Sequence, residues 1–598
     1  MVYVLGVSAF YHDSAAALVH DGVVVAAAQE ERFTRVKNDA DFPAAAVRYC
    51  LEQAGIALSE VDQVAFYDKP ILTFDRLLET YIAYAPRGFQ SFSRALPEWV
   101  KKKLFLKDVI TSGLAGMGLG DFDAGKLLFG YHHHSHAAAA FYPSPFKDAA
   151  VLVMDGVGEW ATTSTWSAGD SGVALLQEIR FPHSLGLLYA AFTYYLGFKV
   201  NDGEYKVMGL APYGTPRYLS LIKDHLIDIK PDGSFRLDMS YFNYCTGLTM
   251  TNDRFAALFS QPRRDPAERL TQMHMDIAAS IQALSEEVIL KIVRALRQSQ
   301  SSRNLCLAGG VALNCVANGK IRREGLFDDI WVQPASGDAG SAIGVALAVC
   351  HEYSGVPRRP ASGQDGMAGS YLGPAFDDET VRKALDHEGA IYRRLDDSTL
   401  FDTVAAALAN GEVVGWFQGR MEFGPRSLGN RSILGDARSR SMQKTLNLKI
   451  KYRESFRPFA PAVLAEDVEE YFDYSGISPY MMMVAPVKAS RRQTLTPEQD
   501  ALFGIEKLNV PRSDIPAVTH VDYSARIQTV HRETNPRFHR LLEAFKRATG
   551  YGVLVNTSFN IRDEPIVCAP RDAWRCFMGT EMEMLVVNNF VLRKSEQA

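Results

Sequence analysis

The sequence predicts an α/β protein that contains an internal duplication. Short apolar runs with the length of buried strands alternate with alanine-rich stretches that have helical periodicity. The order strand, polar loop, strand, glycine turn, strand occurs near the amino terminus and again around residues 149–180. Two copies of one such unit predict a duplicated α/β domain. Two unrelated hairpins are the alternative.

The first copy begins with the apolar run at residues 2–8, which we interpret as a buried strand. Asp21 and Gly22 between two further apolar runs predict a hairpin turn. A helix at about residues 42–55 and a strand at 63–67 complete the unit.

The second copy has strands at residues 149–154, 162–166 and 173–180. We expect the loop after its first strand, 155–159, to face the loop at 10–14 across a cleft. Hairpin loops of this kind hold ATP phosphates in the actin, sugar-kinase and heat-shock-chaperone class.

Four histidines fall within five positions just before the second copy. Alanines follow them, so residues 132–142 are expected to form a helix that Pro143 helps to end. His132 and His136 are four residues apart, which places both imidazoles on one helix face, the spacing used for a shared metal ion. A zinc protease would have glutamate where His133 stands. A histidine-rich surface turn without a ligand is the alternative.

Two aspartates at strand ends are candidates to complete this metal site. Asp155 ends the strand at 149–154, and Asp338 follows another predicted strand in a loop of small residues, before a helix that runs to about residue 351. Two imidazoles and two carboxylates suit iron, zinc or manganese better than calcium.

Other polar residues at element junctions are candidate ligand contacts. Gly309 and Gly310 join a strand to a helix that carries Asn314 and Asn318 on one face, so backbone N–H groups there could contact an anion. Lys206 lies among glycines and is expected to contact phosphate or carboxylate, unless it is a solvated loop lysine.

A long amphipathic helix is predicted at residues 267–298. Asp265 would be its N-cap and Pro266 its first residue.

The character of the chain changes after residues 354–369, a Pro-, Gly- and Ser-rich stretch that we interpret as a linker. Between residues 420 and 457 there are ten basic and three acidic residues, interleaved with apolar ones, which predicts an anion-binding pocket rather than a solvated basic face. A buried strand then ends in residues 556–560, whose amides and hydroxyls could hold a phosphate. Ser558 lacks the surroundings of a hydrolase nucleophile.

The bulk properties exclude several classes. A net charge of −5 gives no nucleic-acid footprint, and seven scattered cysteines without a CxxC pair predict neither a disulfide framework nor a cysteine zinc site. The chain starts directly with a predicted strand, and no apolar run is long enough for a membrane helix. A cytoplasmic protein is therefore expected, and a homodimer stays open.

Several of these stretches together resemble the O-carbamoyltransferases of the nodulation, cephalosporin and tobramycin type. They are the histidine helix, VMDGVGEW at 153–160, EYKVMGLAPYG at 204–214, LAGGVALN at 307–314, GRMEFGPRSLGNRS at 419–432, KYRESFRPFAP at 451–461 and NTSFN at 556–560. FYDKP at 66–70 and DYSARIQTV at 522–530 are most similar to the saxitoxin-pathway branch.

The resemblance implies two domains. Residues 1–353 would form an actin-like carbamoyl-transfer domain, similar to the tRNA-threonylcarbamoylation kinase-like fold, and residues 370–598 a YrdC-like domain that makes carbamoyl-adenylate. Carbamoyl phosphate would be hydrolysed to carbamate, which ATP with Mg²⁺ would adenylate. A hydroxyl of a small-molecule acceptor, in a natural-product pathway, would then receive the carbamoyl group. A path closed to water would join the two sites.

The resemblance also implies roles for individual residues. His132, His136, Asp155 and Asp338 match the ligands of one transition-metal ion, with iron preferred to zinc or manganese, and His12 matches a candidate base for the acceptor hydroxyl or a group that only positions the acceptor. Six residues match the phosphate-binding set of the family's second domain: Lys451, Ser558, Arg420, Arg426, Arg457 and Arg526. The sequence itself adds Arg431, Asn556 and Asn560 as candidates.

Two other functions compete with this interpretation. A fused enzyme that makes threonylcarbamoyladenosine in tRNA is disfavoured by the net charge, because RNA binding draws on lysine and arginine. A non-catalytic, actin-like ATP-binding protein would leave the arginine-rich second domain unexplained.

Overall fold

The computed structural model describes residues 1–100, 104–359, 363–454 and 456–597, so residues 360–362 of the predicted linker and Ser455 lie outside it. The chain forms two compact units. The first comprises Met1–Glu30 and Asn38–Gly366, and the second comprises Glu31–Lys37 and Met367–Ala598. The change from the first unit to the second after Gly366 falls within the predicted linker. The sequence did not predict that residues 31–37 belong to the second unit.

The strands and helices that precede Gly366 are β1 (Tyr3–Ser8), β2 (Ala15–His20), β3 (Val23–Gln29), α1 (Glu31–Thr34), α2 (Ala44–Ala54), β4 (Gln63–Phe66), α3 (Pro70–Tyr84), α4 (Phe89–Trp99), α5 (Leu106–Gly116), β5 (Leu127–Phe129), α6 (His132–Phe141), β6 (Ala149–Met154), β7 (Ala161–Gly169), β8 (Gly172–Arg180), α7 (Leu185–Tyr195), α8 (Glu204–Leu210), α9 (Leu219–His225), β9 (Ile227–Ile229), β10 (Phe235–Leu237), α10 (Asp253–Leu258), α11 (Gln272–Ser299), β11 (Asn304–Ala308), α12 (Cys315–Glu324), β12 (Asp329–Val332) and α13 (Asp338–Ala348).

After Gly366 they are α14 (Asp378–His387), β13 (Arg393–Arg394), α15 (Asp397–Ala409), β14 (Val414–Phe417), β15 (Arg431–Asp436), α16 (Met442–Thr445), β16 (Ala460–Leu464), α17 (Val468–Tyr471), β17 (Met483–Pro486), α18 (Pro497–Asp500), β18 (Ser524–Val530), α19 (Pro536–Thr549), β19 (Val553–Ser558), α20 (Pro570–Met578), β20 (Met584–Val587) and β21 (Phe590–Arg593).

The first unit contains the predicted duplication. Its two five-stranded sheets have the orders β3-β2-β1-β4-β5 and β8-β7-β6-β11-β12. In each sheet the first three strands form an antiparallel meander, and the fourth and fifth strands are added in parallel to the first. The same topology occurs twice, so the prediction of a duplicated α/β unit is confirmed and the alternative of two unrelated hairpins is wrong.

Helix α13 lies at the centre of the first unit, against β1 and α6. Its small residues permit this close packing. A Cβ at Gly344 would lie 1.8 Å from the carbonyl oxygen of Ser135, on α6, so only glycine fits there. The close approach brings the first turn of α13 beside the histidines of α6.

The second unit is built on a nine-stranded mixed sheet with the order β13-β21-β20-β14-β15-β19-β16-β18-β17. Helices α15 and α19 pack together, and their apolar residues join those of the central strands in one core that includes Trp416 and Phe538. The YrdC-like character of this unit stays a prediction. No helix among the described residues is long and apolar enough to cross a membrane.

The predicted start of the long helix is wrong. Helix α11 begins at Gln272, with Thr271 as N-cap. The Asp265 carboxylate instead accepts a hydrogen bond of 2.8 Å from the Ala267 N–H, which closes a local turn. Arg264 donates to the carbonyl of Pro266, so this loop has hydrogen-bond partners that compete with a helical continuation.

Candidate functional site

Two histidines and two aspartates of the first unit converge on one point. His132, His136, Asp155 and Asp338 each place a ligand atom within 4.8 Å of all the others. The Nε2 atoms of the two histidines are 3.1 Å apart, and each is 3.5 Å from Asp338 Oδ1. Asp155 Oδ2 is 3.1 Å from the Nε2 of His132. The structure therefore brings together the four residues that the sequence predicted as one site.

Each of these four side chains is placed by the start of a helix or the end of a strand. The α6 helix starts at His132, so His132 and His136 lie one turn apart on its buried face. Asp155 follows the last residue of β6. Asp338 is the first residue of α13, not a loop residue as predicted.

Of the two predicted glycines, Gly310 holds the Asp155 carboxylate, and Gly309 packs against Met154. The Gly310 N–H donates to Asp155 Oδ1 at 3.0 Å. Gly309 has a φ of 87°, and a Cβ there would lie 2.1 Å from the carbonyl oxygen of Met154. The backbone at Gly309 thus packs against Met154, the residue that precedes Asp155, and the Gly310 N–H orients the Asp155 carboxylate.

The residues present fit a transition-metal ion. Metal–ligand distances of about 2.0–2.2 Å separate neighbouring donor atoms by about 3.0–3.6 Å, and the separations of 3.1 and 3.5 Å fall in this range. The Nδ1 of His136 is 3.1 Å from the Ser341 hydroxyl, so its Nε2 is left to face the cluster. This donor set of two imidazoles and two carboxylates suits iron, zinc or manganese.

The electrostatics of the cluster favour a cation. Burial alone would lower the pKa of His132, but the carboxylates of Asp338 and Asp155 raise it to about 10. The pKa of Asp155 lies well below its usual value, because the hydrogen bond from His132 and the charges of the histidines outweigh burial. Positive charge is thus stabilised where the four side chains meet.

His12 lies at the edge of the same cluster. Its Nδ1 is 3.0 Å from Asp13 Oδ2, and its Nε2 is 3.8 Å from Asp338 Oδ2. Burial would lower the pKa of His12, but the carboxylates of Asp13 and Asp338 raise it to about 9. His12 is therefore protonated at neutral pH when no cation is bound.

Sequence reasoning missed Glu159, which aligns helix α6. This buried carboxylate accepts hydrogen bonds from the backbone N–H groups of His132, at 2.9 Å, and Lys69, at 3.0 Å. It thereby fixes the first turn of α6 and the residue before α3. Its position four residues after Asp155, in the polar loop already marked as functional, was the available signal.

Two further predicted residues of this unit are placed differently from expectation. Lys206 is in the first turns of α8, with its Nζ 5.7 Å from the centre of the Phe198 ring, and is not a loop lysine. Asn314 is the N-cap of α12 rather than a residue within the helix, and its side chain exchanges two hydrogen bonds with Gln282. Its amide therefore has partners within the protein.

In the second unit, three predicted residues form one buried cluster. The Lys451 Nζ donates to the backbone oxygen and hydroxyl of Ser558 and to the backbone and side-chain oxygens of Asn560, the latter at 2.6 Å. The Ser558 hydroxyl also donates to Asn560 Oδ1 at 2.7 Å. Burial and the charges of Arg453 and Arg457 hold the pKa of Lys451 well below its usual value. Arg457 is thus close enough to act on this cluster.

Arg431 has a structural role in place of the predicted phosphate contact. It is fully buried, and its guanidinium donates to backbone carbonyls on both sides, including those of Gln418 at 2.6 Å and Pro374 at 3.0 Å. Its Cζ also lies 3.6 Å from the centre of the Phe417 ring. Because these partners occupy the guanidinium, Arg431 braces the loop that carries the other arginines.

The remaining predicted residues of this unit lie on or beside its sheet. Arg420 donates to the carbonyl of Leu372 at 2.6 Å, and Arg426 is half-buried in the following loop. Arg526 is on β18, in register with Val484 of β17. The buried Asn556 donates to the Ser427 carbonyl and to Gln528 Oε1, while its own Oδ1 has no hydrogen-bond partner among the described residues.

Comparisons with known proteins match both units of the chain. A family profile described as Carbamoyltransferase N-terminus matches residues 3–347, and one described as Carbamoyltransferase C-terminus matches residues 405–594. The chain is 61% identical to Uncharacterized protein sll1178 of Synechocystis sp., over 100% of this chain and 97% of the relative. It is 37% identical to Nodulation protein NolNO of Sinorhizobium fredii, over 98% and 79%. It is 33% identical to 3'-hydroxymethylcephem-O-carbamoyltransferase of Streptomyces clavuligerus, over 50% of each chain.

Proposed function

The chain belongs to the carbamoyltransferase family, and we propose that it moves a carbamoyl group from carbamoyl phosphate, through a carbamoyl-adenylate, to a hydroxyl of a small-molecule acceptor. The observation that carries this proposal is the convergence of His132, His136, Asp155 and Asp338 on one point beside His12. A relative named as a cephem O-carbamoyltransferase supports a hydroxylated small molecule as the acceptor.

The first half-reaction belongs to the second unit in this proposal. Water cleaves carbamoyl phosphate to carbamate and phosphate, and a carbamate oxygen then attacks the α-phosphate of ATP, with Mg²⁺, to give carbamoyl-adenylate and pyrophosphate. Arg457 places positive charge, and Lys451 an amine that donates hydrogen bonds, beside the Ser558–Asn560 turn, where phosphate oxygens would be held. Arg420, Arg426 and Arg526 are the further arginines proposed for these anions.

The second half-reaction belongs to the first unit. The acceptor hydroxyl attacks the carbamoyl carbon, AMP leaves, and the O-carbamoyl product remains. His12 is positioned to take the hydroxyl proton once a cation held by the aspartates offsets the carboxylate charge that raises its pKa to about 9.

His132, His136, Asp155 and Asp338 would hold one transition-metal ion, for which we propose iron, with zinc and manganese as the alternatives. A bound ion would act as a Lewis acid that polarises the carbamoyl group or the adenylate phosphate.

Carbamoyl-phosphate-dependent exchange of pyrophosphate into ATP tests this proposal. We expect exchange with the wild-type protein and none with Lys451→Met, which keeps side-chain length but removes the Nζ that donates to Ser558 and Asn560. Lys449→Met is the matched control, because Lys449 is exposed and paired only with the exposed Glu581 among the described residues. No exchange in the wild type, or equal exchange in both variants, would reject the proposed adenylation site.

A further inference from the structure

Helix α3 buries a polar stripe rather than an apolar one. Its buried residues are Pro70, Thr73, Arg76 and Thr80, whereas Ile71 and Ile82 are 67% and 66% exposed. The spacing of three and four residues places the buried threonines and the arginine on one face. A surface helix normally turns its apolar face inward, so this reversed pattern indicates that α3 lines a polar site.

Arg76 is the unusual residue of this stripe. It is only 8% exposed, and its Nε is buried with no hydrogen-bond partner among the described residues. Its Cζ lies 5.2 Å from the centre of the Phe181 ring. The nearby carboxylate of Asp68 accepts instead from the Thr73 hydroxyl, at 2.8 Å. Arg431, by contrast, is fully buried but is surrounded by carbonyl acceptors.

Arg76 is tied to the metal cluster through Glu159. That carboxylate accepts from the N–H of His132 and from that of Lys69, the residue directly before α3, so α3 and the metal-binding helix begin at the same anchor. Burial lowers the pKa of Arg76, and the charges of Asp68, Tyr11 and Glu159 oppose this shift, which places Arg76 within electrostatic range of all three.

The surroundings place Arg76 on the side of the site where the acceptor would bind. Tyr11 precedes His12, the residue proposed to take the acceptor's proton, and Tyr131 precedes His132. Both tyrosines are exposed, at 58% and 55%, and could cover a sugar-like or other ring. The acceptor pocket would thus have aromatic residues at its rim and one guanidinium at its base.

A buried guanidinium with an unsatisfied N–H is costly, because that donor has lost water without gaining a hydrogen bond. A bidentate oxyanion would satisfy it with the geometry that arginine prefers. We infer that Arg76 binds an anionic group of the acceptor, a carboxylate, phosphate or sulfate, so that the enzyme selects acidic hydroxylated molecules. This inference rests on the proposed function, and it narrows the class of acceptor.

The test compares carbamoylation of matched acceptor pairs, such as glucose 6-phosphate with glucose and glucuronate with glucuronamide, by the mass gain of the product. We expect the wild type to favour the anionic member by at least about tenfold in kcat/KM. Arg76→Met should remove this preference by raising the KM for the anionic member, and Arg76→Lys should keep part of it. Arg94→Met, at an exposed arginine of α4, is the matched control and should behave as wild type.

Several outcomes would overturn the inference. They are the lack of any preference in the wild type, an equal loss for both members of a pair in Arg76→Met, and a melting temperature of Arg76→Met that is clearly below that of Arg94→Met. The last result would show a structural arginine, whereas an arginine kept for a ligand can be replaced without loss of stability.

A second measurement decides the case in which no member of the panel is carbamoylated. Crystals soaked in selenate should show anomalous density at the Arg76 guanidinium in the wild type and none in Arg76→Met. An empty wild-type site would reject the inference.

Pyrophosphate exchange separates this inference from the proposed function. Exchange that is absent from the wild type rejects the proposed function itself. Exchange that is present in the wild type but lost in Arg76→Met would mean that Arg76 serves the adenylate, and the acceptor assignment would then be wrong.

Discussion

Replacing Gly309 by alanine should disrupt the metal cluster although Gly309 is not a ligand. The backbone at this position has φ 87° and ψ 160°, a region that is almost confined to glycine, and alanine there costs about 1–3 kcal/mol. The new Cβ would also lie 2.1 Å from the Met154 oxygen and 2.6 Å from its carbonyl carbon, so the end of β6 must move. Such overpacking adds about 1–3 kcal/mol.

The movement would be transmitted directly to a ligand. Asp155 follows Met154 and is held by the Gly310 N–H, so both groups that orient this carboxylate shift together. Loss of comparable orienting contacts weakens metal binding about 10- to 100-fold. We therefore expect Gly309→Ala to lower the free energy of unfolding, measured in urea, by about 2–6 kcal/mol. We also expect this variant to bind iron or zinc at least about tenfold more weakly.

Gly325→Ala is the matched control. Gly325 also has a positive φ, of 64°, in the same unit, but a Cβ there meets nothing within 4 Å. Backbone strain should lower the free energy of unfolding of this variant by about 1–2 kcal/mol. The variant should bind metal with the same affinity as the wild type. Equal metal affinities in the two glycine variants, measured by competition with a chromogenic chelator, would refute the argument that the Gly309 junction positions Asp155.

Three further perturbations have defined outcomes. Ser341→Ala removes the hydroxyl 3.1 Å from the Nδ1 of His136 and should weaken metal binding about tenfold without loss of fold, as read by chelator competition and circular dichroism. Metal binding at pH 8 should release about two protons, because before the cation binds the pKa of His132 is about 10 and that of His12 is about 9. The affinity should therefore rise with pH up to these values, and calorimetry in buffers of different ionisation enthalpy would show no release if this is wrong. Arg431→Lys should destabilise the protein by about 3–5 kcal/mol in urea unfolding, because an ammonium cannot reach the carbonyls that the guanidinium joins, and a loss below about 1 kcal/mol would contradict a bracing role.

The convergence of the four side chains could be predicted from the sequence because its signals are local. His132 and His136 lie one helical turn apart, and Asp155 ends an apolar strand, so secondary structure alone places three side chains. Asp338 was found by the same strand-end argument, although it begins a helix rather than lying in a loop.

The features that sequence reasoning missed depend on distant contacts. Arg431 directly follows an arginine-rich loop in the sequence, which suggested a phosphate ligand, but its partners include the carbonyls of Pro374 and Cys568. The start of α11 moved to Gln272 because hydrogen bonds of the preceding loop compete with the helix. Arg76 has an ordinary helical context, and only its burial with an unpaired Nε distinguishes it.

The separation of adenylation and transfer between the two units is tested most directly by measuring both half-reactions in Asp338→Asn. This variant removes one carboxylate of the metal cluster and leaves the second unit unchanged. The account predicts that carbamoyl-phosphate-dependent exchange of pyrophosphate into ATP continues at the wild-type rate while no O-carbamoylated product forms. Loss of exchange in Asp338→Asn to the same extent as in Lys451→Met would contradict the account.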